Sequence, residues 1–377
     1  MIYLDNAATT YPKSENVYKA LDEANRELAF NSGRGSYKNA RAATQIMDDV
    51  RKKLLKLVHA NGRAEVVFTS SITIALNQIL NGIEFIKGDI VYISPYEHNA
   101  VARVFRLIEK NIGIVVKEMP LKVDTLEIDL DKLQYQILKD KPKCVCCIHV
   151  SNVTGYILPV EEIFDIAKKV EAITVLDTAQ SLGIVDIAKN LQIDFLAFAG
   201  HKSLYGPLGI GGFIDYGNYP LKEFIVGGTG SDSLNLDMPN SKPGKYESSS
   251  SNIVAIKGLD VALDEINIQE NYANEKEILE YLIEKLSLID GINMYLPPKE
   301  KHIGIVSFTV EGYKSEDIGM ILDEDYDIAV RTGYHCAPLI HKWLKDEEYA
   351  GTVRVGIGRF NTKQDIEELI VALNDLE

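Results

Sequence analysis

The sequence predicts an α/β protein: a large domain with a mostly parallel sheet, followed by a smaller C-terminal α+β domain. Three observations lead there. Short apolar runs of strand character alternate with segments of helical apolar spacing, a pattern that builds parallel sheets covered by helices on both faces. Polar residues stand at the ends of several of those runs, where such sheets bind ligands. A long unpatterned segment then separates this alternation from a second, smaller set of strands and helices.

In chain order, MIYLDNAATTYP reads as strand and loop. PKSENVYKALDEANREL opens a helix with a proline and a serine cap, and YKNARAATQIMDDVRKKLLKLV supplies a second. Next come strand EVVFTS, helix TIALNQILNGI, strand DIVYIS, helix NAVARVFRLIEKN and strand GIVVKEM. Strand CVCCIHVS, helix VEEIFDIAKKV and strands ITVLD and DFLAFAG follow. Residues 227–252 carry neither period, and a loop of that length inside a compact domain is either functional or disordered. One long helical stretch is expected over 253–289. The remainder reads as strand GIVSFTV, helix SEDIGMILDE, strands IAVRTG and GTVRVGIG, and helix KQDIEELIVALNDL. The expected division is 15–255 for the large domain, with 1–14 and 256–377 forming the small one.

The 377 residues are 46% hydrophobic and 25% charged, as in a soluble globular protein. Forty basic against 55 acidic residues leave a net charge of −15, which disfavours a nucleic-acid partner and suits a cytoplasmic enzyme. No apolar run approaches the ~18 residues of a membrane span, and no signal peptide is visible. Of four cysteines, Cys144, Cys146 and Cys147 fall in one strand, with Cys144 and Cys146 on one face and Cys147 on the other. That spacing reads as core packing and does not suit zinc. His59 and His341 read as surface residues, and His149 as a packed strand histidine.

The chemistry concentrates at strand ends: Ser70 to Thr73, Glu97 and His98, Ser151 and Asn152, Asp177 to Gln180, and His201 with Lys202. In a doubly wound sheet these ends converge on one crevice. Lysine is almost never buried unless something pairs with it or uses it, yet Lys202 closes an apolar strand and precedes Gly206, Gly209, Gly211 and Gly212. These glycines are expected to clear space for a ligand. A Schiff base between Lys202 and pyridoxal 5′-phosphate (PLP) fits. That cofactor needs a lysine, an acid at its ring nitrogen and an anion cradle, for which Asp177 and the helix start at Ile72 and Thr73 are candidates.

With these residues in view, the chain resembles a class V, fold-type I PLP-dependent transferase, and within that class a cysteine desulfurase or selenocysteine lyase of group II. The resemblance rests on YLDNAATT, NSGRGSY, FTSSITIALN, EHNAV, SNVTG, LDTAQ, AGHKSLYGP, the GGTG loop, RTGYHCAP and VRVGIGRFNT. It implies that Lys202 forms the Schiff base and moves the substrate Cα proton. Asp177 pairs with the ring nitrogen, Gln180 bonds the phenolic oxygen, and His98 stacks on the ring and assists proton transfer. Thr73, His201 and the Ile72 amide hold the phosphate. Arg354, helped by Asn152, takes the substrate carboxylate, and Cys336 is the nucleophile that receives sulfur as a persulfide. His335 is expected to activate that thiol. Two motifs depart from the family: Thr69 to Ile74 lacks the usual glycine and acid, and 246–252 reads YESSSSN, where Ser250 replaces a threonine that reaches the phosphate of the other subunit. The resemblance therefore implies a homodimer acting on L-cysteine or selenocysteine, with a thiol-bearing acceptor, without nucleic-acid or membrane partners. Other class V reactions on the same scaffold are a C–S or C–N lyase, an epimerase or an aminotransferase acting on a modified amino acid. A PLP-binding scaffold without catalysis is a further alternative.

Overall fold

The computed structural model describes residues 1–376 apart from Arg34, Asn61 and 231–233, so the arginine of NSGRGSY and part of 227–252 lie outside the described residues. β1 (Ile2–Tyr3) is followed by α1 (Glu15–Glu27), capped by Ser14, whose side chain accepts from the Val17 amide, and by α2 (Lys38–Leu57). The large sheet and its helices then run β2 (Glu65–Thr69), α3 (Ile72–Gly82), β3 (Ile90–Ile93), α4 (Asn99–Ile112), β4 (Val115–Glu118), α5 (Leu130–Asp140), β5 (Cys144–Ile148), α6 (Val160–Lys168), β6 (Ile173–Asp177), β7 (Phe195–Ala199) and β8 (Gly211–Asp215). The helix α5 occupies a stretch in which the apolar alternation assigns no element. Asp129 caps it by accepting from the Lys132 amide, and it buries Leu133 and Ile137.

The seven strands lie in the order β2-β8-β7-β6-β5-β3-β4. All pairings are parallel except those of β8 with β2 and β7. The carboxyl ends of β2, β3, β5, β6 and β7 therefore share one edge. Alternate side chains feed two cores: Phe68, Val145, Cys147, Leu176 and Phe198 on one face, and Val67, Cys144, Cys146, Val175 and Phe195 on the other. Full burial of each such side chain contributes about 1.5–3 kcal/mol. Burial also pushes the Cys144, Cys146 and Cys147 thiols far above their ordinary range, which makes them inert.

The strand β8 was not apparent from its sequence, because the GG pair at its start carries no side chain to show a period. The structure also corrects the purpose of its glycines. A Cβ at Gly212 would lie 2.2 Å from the Val67 carbonyl oxygen, and one at Gly206 2.8 Å from that of Gly200, so both accommodate the protein's own backbone. Gly211 likewise meets backbone, that of Ser71 and Ile72 at the start of α3.

The expected helix over 253–289 is two helices, α7 (Ile253–Asp264) and α8 (Ile268–Leu286). Asn267 interrupts it by capping α8, its side chain accepting from the Glu270 amide. The helix α7 packs against α1 and α2. The chain continues with β9 (Ile292–Met294), β10 (Ile305–Val310), α9 (Ser315–Tyr326), β11 (Ile328–Ala329), β12 (Arg331–Gly333), α10 (Pro338–Leu344), β13 (Thr352–Gly356) and α11 (Lys363–Asn374). IAVRTG is thus not one strand. Its first half, β11, pairs in parallel with β1, while β12 joins the antiparallel sheet β12-β13-β10-β9. A third core, including Leu4, Leu282, Phe308, Val353 and Leu369, ties the chain's start to this unit. Among the described residues no helix is long and apolar enough to cross a membrane.

Candidate active site

The shared strand edge opens on a cavity of about 240 Å³ bordered by Ile72, Thr73, His98, Asn152, Asp177, Gln180, His201, Lys202, Cys336 and Arg354. Of the expected site residues, only Ser250 stays outside it. Ser250 accepts a hydrogen bond from Asn31 Nδ2 (3.1 Å) and lines a separate depression with Thr69, Ile74 and Gly228.

Lys202 follows β7, and its side-chain amine makes no hydrogen bond or ion pair with the described residues. Burial brings its amine down to about 8 against the pull of Asp177, and Arg354 lowers it further. About a tenth of it is therefore neutral at pH 7, against well under a thousandth for an ordinary lysine. Trace acetylation of the cofactor-free protein tests this. Labelling of Lys202 should rise about tenfold per pH unit up to roughly 8 and then level off, while surface lysines keep rising toward roughly 10.5.

Asp177, the last residue of β6, is buried, and its Oδ1 accepts from the Ala179 amide (2.8 Å). Burial raises its carboxyl, while that amide and Lys202 oppose the rise. A buried carboxylate of this kind gains most from a cationic partner inside the cavity. Behind it lies Glu97, fully buried, whose Oε1 accepts from Ser94 Oγ (2.6 Å) and the Ile148 amide (2.7 Å). Burial pushes that carboxyl up to about 8, so it ties the turn before α4 to β5 without adding a charge beside Asp177 at pH 7.

His98 is the N-cap of α4, and its Nδ1 accepts from the Ala100 amide (3.0 Å), which places the ring proton on Nε2. Burial and the nearby Lys202 charge bring it down to about 4, so it is neutral at pH 7. His201 is likewise brought to about 4, and its Nδ1 lies 3.0 Å from Thr9 Oγ1. Gln180 spends one amide hydrogen on the Ala7 carbonyl (2.8 Å), leaving its second for the cavity.

The start of α3 forms without the glycine that the resemblance leads one to expect. Ser71, the N-cap of α3, has φ −166°, extended backbone that any residue adopts, and its Oγ accepts from the Ile74 amide. The Ile72 and Thr73 amides then lie at the free start of the helix. A Cβ at Gly211 would sit 2.7 Å from Ile72 N, so this glycine lets β8 lie close against the start of α3. A lysine amine with a lowered pKa, a buried acid, a neutral imidazole and an uncovered helix start together fit PLP.

Arg354 of β13 is buried, with Nη2 on Asp5 Oδ1 (2.6 Å) and Nη1 on the Asn152 carbonyl (2.9 Å). Its Nε has no partner among the described residues. Asp5 and Arg331, which also borders the cavity, are site residues that sequence reasoning missed. Both lie inside quoted motifs, YLDNAATT and RTGYHCAP, but nothing in the chain links Asp5 to a residue 349 positions away. Asn152 Nδ2 donates to the His335 carbonyl (2.7 Å), so this side chain holds the cysteine loop in addition to bordering the cavity.

Cys336 is exposed and borders both the cavity and an open groove lined by Arg103, Tyr334, Leu339 and Lys342. Two expectations for its neighbourhood are corrected. His335 is buried, with Nε2 2.8 Å from Thr352 Oγ1, and burial together with Arg354 keeps it far below its ordinary pKa. It is neutral and supplies no charge to a thiolate. His341 is no surface residue: it is 4% exposed, with Nδ1 2.5 Å from Asp346 Oδ2 and Nε2 3.0 Å from the Tyr334 carbonyl.

This geometry agrees with the comparisons to known proteins. The family model described as "Aminotransferase class-V" matches residues 2–369, and the chain belongs to that family. The chain is 34% identical, over 99% of its length and 92% of the relative's, to a protein of Halalkalibacterium halodurans named "Probable cysteine desulfurase". A protein of the same name from Methanothermobacter thermautotrophicus is 32% identical over 100% of this chain and 94% of its own. The apo cysteine desulfurase of Thermococcus onnurineus NA1 superposes with a TM-score of 0.90 at 30% identity, covering 99% of this chain and 94% of that one. Within the class V family, the chain belongs with the cysteine desulfurases.

Proposed function

We propose that this protein is a PLP-dependent cysteine desulfurase that takes sulfur from L-cysteine onto Cys336 as a persulfide, releases L-alanine and passes the sulfur to a thiol-bearing acceptor. The observation that carries this reading is the shared border: one cavity holds Lys202, Asp177, Arg354 and the exposed Cys336. A class V lyase, epimerase or aminotransferase would give that thiol no task.

Ile72, Thr73 and His201 would hold the cofactor phosphate, Asp177 the ring nitrogen and Gln180 the phenolic oxygen. Bound PLP supplies an electron sink for charge developing at the substrate carbon. His98 would lie against the ring and presents Nε2–H to the cavity. Lys202, neutral in part at pH 7, moves the substrate Cα proton. Arg354 takes the substrate carboxylate, oriented by Asp5 and the Asn152 carbonyl. The Cys336 thiolate attacks the substrate sulfur. The S–S bond forms as the C–S bond breaks, and the carbon keeps the electron pair and is protonated to give alanine.

Purified protein given PLP, L-cysteine and a reductant should yield alanine and sulfide in equal amounts. Pyruvate with the sulfide would overturn the reading. Arg354→Lys should raise KM for cysteine roughly 10- to 100-fold with a smaller change in kcat, since an ammonium cannot reproduce the fork that Asp5 orients. An unchanged KM would remove Arg354 from substrate binding.

The exposed Leu208, Val226, Leu234 and Leu236 support a homodimer, in which a partner covers these side chains and Ser250 reaches the partner's cofactor phosphate. In this reading the large domain spans 15–255 and the small one 1–14 and 256–377, with α7 (Ile253–Asp264) crossing the boundary and packing against α1 and α2. Four free cysteines and the net charge of −15 support a cytoplasmic location.

A further inference from the structure

The backbone that presents Cys336 is strained. His335 and Cys336 have φ of 46° and 56°, consecutive non-glycine residues in the left-handed region. Such conformations are strained and persist only where the surroundings hold them. Here each carbonyl of the turn is held by a different element. That of Cys336 accepts from the Asn99 amide at the start of α4 (2.6 Å), and that of His335 from Asn152 Nδ2 (2.7 Å). The Tyr334 carbonyl accepts from the Ala337 amide (3.0 Å) and from His341 Nε2 (3.0 Å).

The first two clamps come from residues of the cavity wall or next to it. The third comes from behind. His341 does not border the cavity. Its Nδ1 faces Asp346 Oδ2 at 2.5 Å, and Asp346 is fully buried. The Tyr334 ring lies edge-on to the imidazole at 5.1 Å. Both ring nitrogens face oxygen acceptors. A carbonyl cannot donate, so Nε2 must carry a hydrogen, and a proton must also lie between Nδ1 and the carboxyl. The carboxyl thus fixes the tilt of the ring, as a carboxylate does for an imidazole in catalytic and metal sites.

We infer that His341, oriented by Asp346, is a positioning residue for sulfur transfer: by holding the Tyr334 carbonyl it keeps the Cys336 turn in the left-handed form that aims the thiol at the cavity. The inference rests on Cys336 being the nucleophile. His341 itself touches neither substrate nor sulfur.

Two substitutions separate this role from simple core packing. The amide of His341→Gln falls near the former Nε2 and can still donate to Tyr334. The shorter amide of His341→Asn falls near the former Nδ1 and satisfies only Asp346. The Asn variant should lose roughly 10- to 100-fold in kcat for alanine formation, the scale of a small misplacement of a reacting group, with KM for cysteine within about twofold. Hydrogen exchange at the Ala337 amide should quicken roughly tenfold or more. The Gln variant should recover most of both. If the Asn variant is poorly folded, Asp346→Asn, which keeps an acceptor for Nδ1–H, should show the same split more weakly. Wild-type kcat and exchange in the Asn variant would overturn the inference. So would faster exchange with unchanged kcat, or a Gln variant as impaired as Asn. Failure of the underlying reading would show separately, as desulfuration that survives Cys336→Ala.

Discussion

Lys202→Ala protein is expected to release no measurable alanine from L-cysteine, a loss on the order of 10³-fold or more in kcat. When mixed with PLP it should lack the visible absorbance of a lysine-bound aldehyde. The reason lies in the cavity wall. Lys202 is the one lysine bordering the cavity among the described residues, and burial holds its amine at about 8. No neighbour can replace it. The Lys13 amine, also lowered to about 8, is committed to Thr10 Oγ1 and the His201 carbonyl (3.0 Å). The substitution should not destabilise the cofactor-free fold. The folded state penalises the charged amine, so stability withheld by Lys202 returns as pH rises from about 8 toward the unfolded value of 10.5. Removing the amine removes that penalty, and the variant's Tm at pH 7 should equal or exceed that of the wild type. Retained turnover, or a lower Tm, would show that Lys202 is a structural lysine.

Cys336→Ala should lower alanine and sulfide production together by roughly 10³-fold, while the absorbance of bound PLP and the Tm stay near wild type. Cys336 is exposed, so its sulfur contributes little to packing. Alanine tolerates a φ of 56° no better than cysteine, so no backbone strain is relieved. The remaining thiols cannot substitute. Cys144, Cys146 and Cys147 are wholly buried in the sheet, and burial pushes their thiols far from the reactive form. Undiminished alanine from the variant would transfer the sulfur chemistry away from this thiol and make the Cys336 turn a structural feature.

The residues of the cleft were largely legible because each sits where a strand ends, and strand ends can be read from short-range apolar patterning. Asp177 closes β6, Lys202 follows β7 and Ser71 caps α3. Cys336 was legible for another reason: a thiol in a short polar turn between glycine and proline has no packing task. The residues that escaped notice depend on distant partners. Asp5 was invisible as a site residue because its meaning comes from Arg354. His341 looked like a surface residue because Lys342 and Lys345 follow it in a helical stretch, while its burial comes from Asp346 and the Cys336 turn packing around it. The glycines after Lys202 pointed to open space. Only the packed sheet shows that Gly212 accommodates the backbone of Val67 and Gly211 that of Ser71 and Ile72.

By itself the sequence determined the α/β alternation, the shared edge of the strands and the chemistry of the groups placed there. These follow from local periodicity and side-chain type, which need no knowledge of the rest of the chain. The tertiary structure decided which ionisation state each group takes. Burial made His335 and His98 neutral and kept part of Lys202 uncharged at pH 7. It also decided how the Cys336 turn is held, with Asn99, Asn152 and His341 arriving from separate elements. Desolvation and hydrogen bonding depend on what surrounds an atom in space, and chain neighbours supply only a small part of those surroundings.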